Sequence, residues 1–325
     1  MTAPAAPPGV EPLPVVAVGE LAPAAARAGW LIEQLWSAQA VGVIGGAPKS
    51  AKTWLALELA VSVASATPAL GCFAVAQPGP VLLYTAEDRP EQIQARLAHL
   101  ARARALELRG LDLGLILAPT LRLDHAVDRA RLRRTLHDRR PQLLILDPLV
   151  RLHGLDENSA TEVAALLGEL RALQREYAVA VLVVHHLRKN APGQPDGRAL
   201  RGSSDLHAWG DSNLYLRRRD DRFLLVIEHR AAPPPPPLTL ELATDPAVHL
   251  RLVTAPELAD DLPARALADR VLAALADARR PLTREALRDT LHTRNATLGD
   301  VLTRLRAERK IVRADGGYAL HPAEP

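Results

Sequence analysis

Gly45-Gly46-Ala47-Pro48-Lys49-Ser50-Ala51-Lys52-Thr53 lies between an apolar run at 40–44 and a segment of helical periodicity at 54–64. Strand, Gly-opened loop, Lys-Thr and helix in that order form the pattern of a nucleotide phosphate-binding loop. In such a loop the backbone N–H groups and the helix N-terminus face the phosphates, a Lys reaches the terminal phosphates, and a Thr hydroxyl ligates Mg²⁺. Lys52 and Thr53 hold those two positions. The expected contact set is Gly45, Gly46, Ala47, Pro48, Lys49, Ser50, Ala51, Lys52, Thr53 and Trp54, and the expected ligand is ATP with Mg²⁺. The common pattern G-x-x-x-x-G-K-[ST] places Gly before the Lys. Here that residue is Ala51, whose Cβ needs room beside the phosphates and disfavours positive φ. The competing reading is a Gly-rich turn that binds nothing, and the ordered succession of elements counts against it.

Moving outward, short, nearly continuous apolar runs at 41–44, 81–85, 143–147 and 179–185 have the pattern of strands buried on both faces of a parallel sheet. Helical segments are expected between them, at 53–64, 89–104, 126–138 and 160–177, so the core is an α/β layered domain with a mostly parallel central sheet. Further strands at 212–217, 223–228, 238–242 and 248–253 read as an antiparallel extension at the sheet edge, with the five prolines at 233–237 as a stiff connection. After residues 256–263 the pattern changes to three short helices, at 265–276, 283–291 and 295–308. A hairpin at 311–320 with an Asp315-Gly316-Gly317 turn follows, and the whole is the order of a winged helix-turn-helix. The expected organisation is therefore an N-terminal Pro/Ala-rich arm at 1–25, an α/β domain at 26–255, a linker at 256–263 and the helical domain at 264–325.

The chain has 325 residues, 48% hydrophobic content and a formal charge of +3, enough to bury two domain cores. No run of 18 apolar residues occurs, and the start MTAPAAPPGVEP lacks the basic and apolar regions of a secretion signal, so no membrane partner and a cytoplasmic location are expected. The single Cys72 excludes an internal disulfide framework. Residues 262–325 hold 12 Arg/Lys against 8 Asp/Glu, whereas 1–261 hold 28 against 29, so the basic excess lies at the C-terminal end. Arg294, Arg304, Arg306 and Arg309 on and beside the third helix, with Lys310 and Arg313 at the hairpin, suit phosphate contact. DNA contact is the expected role of this segment, with protein contact or autoinhibition as the alternatives.

Leu143-Leu144-Ile145-Leu146-Asp147 is an apolar strand ending in a carboxylate about 95 residues after the loop, the pattern in which an Asp holds Mg²⁺ through water opposite the loop Thr. A surface Asp capping the next helix is the plainer alternative. The run at 81–85 ends in Ala86-Glu87-Asp88. Glu87 is the expected general base for an attacking water, and Asp88 the expected cap of the helix near Pro90. The run at 179–184 ends in His185-His186, a place to sense a γ-phosphate, since no His/Cys cluster supplies a metal site. The following loop, 188–201, is basic and lacks an apolar face. It reads equally as a solvated loop or as one that tracks a nucleic-acid strand.

Over residues 28–255 the chain resembles the RecA-like ATPase core, and within it the RepA-type hexameric replicative helicases, with DnaB and KaiC more distant. The residues that carry the resemblance are Gly46-Ala47-Pro48-Lys49-Ser50 before Lys52-Thr53, Tyr84 to Asp88, Asp147-Pro148-Leu149 with His153 and Asp156-Glu157-Asn158, His185-His186, and Arg201-Gly202-Ser203-Ser204. The resemblance implies Glu87 as catalytic glutamate, Asp147 as the Mg²⁺ aspartate and His186 as γ-phosphate sensor. Glu228-His229-Arg230 matches the place where such rings present Lys-x-Arg to a neighbour's ATP, so Arg230 is the implied arginine finger, with Glu228 in place of the Lys and Arg198 and Arg201 as reserves. A homo-oligomeric ring, most simply a hexamer, with ATP at subunit interfaces and single-stranded DNA against the 188–201 loop, follows from the resemblance. Two other functions share the same ATP-site residues: a recombination or repair ATPase that does not unwind, and an ATP-switched DNA-binding regulator.

Overall fold

The computed structural model describes residues 14–20, 29–154, 160–186, 204–219, 221–253, 262–278, 280–293, 295–314 and 316–321. The 188–201 loop, Arg198, Arg201, Gly202, Ser203, Asp156-Glu157-Asn158, Arg294 and most of the 1–25 arm lie outside the described residues. The chain divides into two compact units, Met1–Leu252 and Val253–Pro325.

The first unit opens with a short hairpin, β1 (Trp30–Ile32) and β2 (Trp36–Ser37). Strands and helices then alternate: β3 (Val41–Gly46), α1 (Lys52–Ser65), β4 (Val81–Thr85), α2 (Pro90–Ala103), β5 (Leu113–Leu115), α3 (Ala126–Arg139), β6 (Leu143–Asp147), α4 (Ala160–Tyr177) and β7 (Ala180–His186). A short helix α5 (Ser204–Trp209) leads into β8 (Ser212–Arg219), β9 (Arg222–His229), β10 (Leu238–Ala243) and β11 (His249–Leu252). The nine main strands form one sheet in the order β11-β10-β9-β8-β3-β7-β6-β4-β5. Pairings from β8 through β5 are parallel, and those joining β8, β9, β10 and β11 are antiparallel. The strands β1, β2 and β5 carry too few residues for a period to show in sequence.

Alternation along each strand sends successive side chains to opposite faces. Leu83, Ile145, Leu182 and Leu216 join α1 and α2 residues such as Leu59 and Ile93 in one core. Tyr84, Leu146, Val183 and Tyr215 join Leu136 of α3, Leu170 of α4 and Leu206 of α5 in the other. The unit is thus three layers, helices on both faces of the sheet. Pure apolar runs were legible as strands because both faces are covered.

The second unit contains α6 (Leu262–Ala278), α7 (Arg284–Leu291), α8 (Asn295–Ala307), β12 (Ile311–Ala314) and β13 (Gly317–Leu320). Its own core joins Val271, Leu287, Leu298, Leu302 and Ile311. Thr283 caps α7, its Oγ1 accepting from the Ala286 N–H at 3.0 Å. The strands β12 and β13 pair as an antiparallel hairpin, and Leu282 exchanges backbone bonds with Tyr318 on its outer strand.

A candidate nucleotide cleft

Parallel pairing brings the strand ends that carry polar residues to one sheet edge. Gly46 of β3 pairs with His186 of β7, and Thr85 of β4 pairs with Asp147 of β6. The loop 47–51 leaves that edge and enters α1. A cleft of about 650 Å³ opens there, lined by Lys49, Ser50, Ala51, Lys52, Thr53, Trp54, Glu87, Asp88, Asp147 and His186. The loop is packed so tightly that Gly46 is obligatory: an added Cβ would stand 2.5 Å from the Leu216 carbonyl oxygen and 2.6 Å from Ser50 Oγ. Gly45 is buried behind the loop, while Ala47, Pro48 and Lys49 are exposed at its crest.

Lys49 and Ala51 both adopt the left-handed region, at φ 62° and 63°. That conformation is the one a Gly at position 51 takes without cost, so Ala51 keeps the loop's shape at the expense of local strain. It also occupies the N-cap position of α1 with no side-chain cap, and the first turn carries no acidic residue. The leading N–H groups of α1 are therefore left for an anion.

Lys52 is buried, and its Nζ donates to the Ala47 carbonyl at 2.8 Å. Burial pulls its pKa down to about 8, with Asp147 and Glu87 opposing the shift. Asp147 is likewise buried; desolvation pushes its carboxyl up to about 6, opposed by the Thr53 hydroxyl, which donates to Oδ2 at 2.7 Å. One buried cation and one buried carboxylate, each with its charged form disfavoured, mark a place that an anion and a cation would both relieve. A phosphate would meet the need of Lys52, and Mg²⁺ held by Thr53 and Asp147 would meet that of the carboxylate, so the residues present fit Mg²⁺·ATP. Among the described residues no group of three or more His, Cys, Asp and Glu is placed to hold a metal on its own, and Mg²⁺ in phosphate sites uses one or two carboxylates with substrate oxygens.

Glu87 is exposed on the cleft rim, where Arg151 Nε donates to its Oε1 at 3.0 Å. Asp88 does not cap α2. The N-cap position is Arg89, followed by Pro90, which has no N–H to satisfy. Asp88 instead takes both guanidinium nitrogens of Arg96 at 2.6 and 3.2 Å, and a charge-assisted fork outweighs one backbone bond. Arg96 in turn stands 5.8 Å over the Trp54 ring. Sequence reasoning missed Arg151 at the rim and Arg96, Val184, Arg218, Asp221, Phe223 and Leu242 around the cleft. Val184 comes from β7, and the residues after it from the β8–β10 side of the sheet. The only local signal was the charged run at 217–222.

Arg230 is not in this cleft. Phe223, at the cleft, pairs with Arg218, while His229 pairs with Ser212, so Arg230 lies at the opposite end of the strands, about 23 Å away along an extended strand. There its guanidinium pairs with Asp211 at 3.3 Å and donates to the carbonyls of Ala208 and Trp209. Glu228, in the place of the implied Lys, stands 3.4 Å from His207 Nδ1.

The family described as an AAA domain matches residues 6–192. Among solved structures, the chain is similar to a DnaB-like replicative helicase characterised with its interactions with primase, at TM-score 0.51 and 16% identity over 65% of this chain and 57% of that one. It is also similar to a structure described as an ATPase domain (TM-score 0.49, 17% identity, 64% of this chain and 82% of that one). A third similar structure is the RadB recombinase (TM-score 0.49, 16% identity, 67% and 92%). The chain spans little more than half of the DnaB-like helicase's length. The mixed, mostly parallel sheet with its phosphate loop is the RecA-like P-loop fold.

Proposed function

As the chain belongs to the AAA domain family, we propose that it is an Mg²⁺-dependent ATPase that works on DNA as a ring-forming motor, hydrolysing ATP at subunit interfaces. The observation that carries the ATPase reading is the convergence of Lys52, Thr53, Asp147, Glu87 and His186 on one cleft. Lys52 and the α1 N-terminus hold the terminal phosphates. Thr53 and Asp147 would hold Mg²⁺, which would supply charge neutralisation to the terminal phosphates. Glu87 orients and deprotonates the attacking water once Arg151 releases it, and His186, in register with Gly46, senses the γ-phosphate. Arg230 serves the neighbour's site. Its position at the strand ends away from its own cleft supports a role in trans, and Asp211 holds it in place.

The DNA part of the reading rests on charge and element order. Helices α6–α8 and the β12–β13 hairpin follow one another in the order of a winged helix, and the C-terminal excess of Arg and Lys suits duplex contact. Single-stranded DNA is assigned to the 188–201 loop on its sequence. A second reading, an ATP-switched DNA-binding regulator, is favoured by Glu228: it meets His207 where a motor of this kind presents a Lys.

The test is ATP hydrolysis by the purified protein with and without single-stranded DNA, with Glu87→Gln as control. Turnover that single strands stimulate and Glu87→Gln abolishes supports the motor, and a tailed-duplex assay then separates unwinding from a recombinase-like ATPase. Nucleotide binding and duplex footprints without turnover support the regulator.

A further inference from the structure

The cleft continues past the phosphate loop onto the antiparallel side of the sheet, where Phe223, Leu242, Asp221 and Arg218 line it. Nothing in the phosphate chemistry uses these residues. Leu216, Phe223 and Leu240 share the face that packs on α1, and Phe223 pairs with Leu240 across β9 and β10. Leu242, two residues beyond Leu240, stays on that face by strand alternation but has run past the packed core, and it is 38% exposed. The apolar layer of the core thus emerges into the cleft as a ledge. Trp54, in the first turn of α1, borders the same cleft. Strands β9 and β10 stand two and three places from β3, about 10 and 14 Å at ordinary strand spacing, a gap that the sugar and inner phosphates of a nucleotide bridge.

We propose that Phe223 and Leu242 form the platform for the nucleotide's base, and that Asp221, in the turn between β8 and β9, accepts a hydrogen bond from the base's exocyclic amine. The ledge offers an apolar surface, mainly Leu242 with the largely buried Phe223 behind it, at the right remove from Lys52. A carboxylate accepts and does not donate, so it favours the 6-amino group of adenine over the 6-oxo group of hypoxanthine. This inference rests on the phosphate-loop reading above and assigns the other end of the same ligand.

Isothermal titration of the full chain with three probes, each with Mg²⁺, separates the two ends: ATP, ITP and inorganic tripolyphosphate. Leu242→Ala is a mild change at a partly exposed position. It is expected to weaken ATP about tenfold, the equivalent of about 1.4 kcal/mol, and to leave tripolyphosphate unchanged. Asp221→Asn is expected to lose most of the preference for ATP over ITP, again with tripolyphosphate unchanged. ATP affinity untouched by Leu242→Ala, or an ATP/ITP ratio untouched by Asp221→Asn, overturns the assignment, as does equal weakening of ATP and tripolyphosphate by either variant. Wild-type protein that binds tripolyphosphate but gains nothing from the base overturns this inference alone. Wild-type protein that binds none of the three probes removes the phosphate-loop reading as well.

Discussion

Ala51 pays for its place in the loop with a left-handed backbone that costs an L-residue roughly 1–2 kcal/mol. Ala51→Gly is expected to raise the unfolding free energy by about 1 kcal/mol, measured by urea denaturation, with ATP affinity kept or improved. Lys52 carries a different cost, a cation buried without a full counter-ion. Lys52→Met should raise the melting temperature of the nucleotide-free protein by a few degrees and erase the rise that Mg²⁺·ATP gives the wild type, both read by thermal unfolding. A variant still stabilised by ATP would show that the loop does not hold the phosphates. These residues were legible because a phosphate loop is written in nine consecutive positions. Arg96, Asp221 and Leu242 were not, because they meet the loop only through the order of strands in the sheet, which no local pattern encodes.

At the level of elements, α1 and the end of α2 are clamped by a buried ion pair. Glu58, on α1 and almost wholly buried, pairs with Arg104 and accepts from the Leu70 N–H at 2.8 Å. Removing one partner leaves an uncompensated charge, so Arg104→Met is expected to cost about 3–5 kcal/mol in urea melts, with Glu58→Gln added to it recovering part of the loss. At the other end of the strands His229 ties the β1–β2 hairpin to the antiparallel strands: Nε2 donates to the Gln34 carbonyl at 3.0 Å, Nδ1 faces Ser212 Oγ at 3.1 Å, and the ring stands edge-on to Trp30. Burial holds its pKa below the ordinary imidazole value. A base with a depressed folded pKa stabilises in full above its unfolded value, about 6.5, and loses that stability as pH falls toward the folded one. The difference in urea midpoint between wild type and His229→Gln, in which the titrations of Lys52 and Asp147 cancel, should therefore hold from about pH 8 to 7 and shrink below about 6.5; a difference that does not change with pH would assign the titration to other groups. The sequence placed β4, β6 and α4 at their observed ends, since α4 is long and the two strands are nearly continuous apolar runs, but β1 and β2 are too short to announce themselves.

For the whole molecule, the candidate nucleotide cleft lies at one set of strand ends and Arg230 at the other. If Arg230 completes a neighbour's site, Arg230→Ala should bind ATP normally and lose roughly 10³-fold in turnover. Mixing it with Lys52→Ala should then restore activity, because mixed assemblies contain interfaces that join an intact loop to an intact Arg230. Mixtures as inactive as the parents would place the residue in the fold rather than in catalysis. Alternating strands and helices made the layered α/β plan readable from sequence, whereas the separation of those ends required the strand register. The two buried charges of the cleft add a consequence for the protein's life in a cell. Empty, the cleft is a weak point; filled, it is a brace whose strength follows the logarithm of ligand concentration, about 2.7 kcal/mol at a hundred times Kd. If ATP is the ligand, the lifetime of the folded chain would rise and fall with its supply, and starvation would thin the protein's numbers before it slowed their turnover.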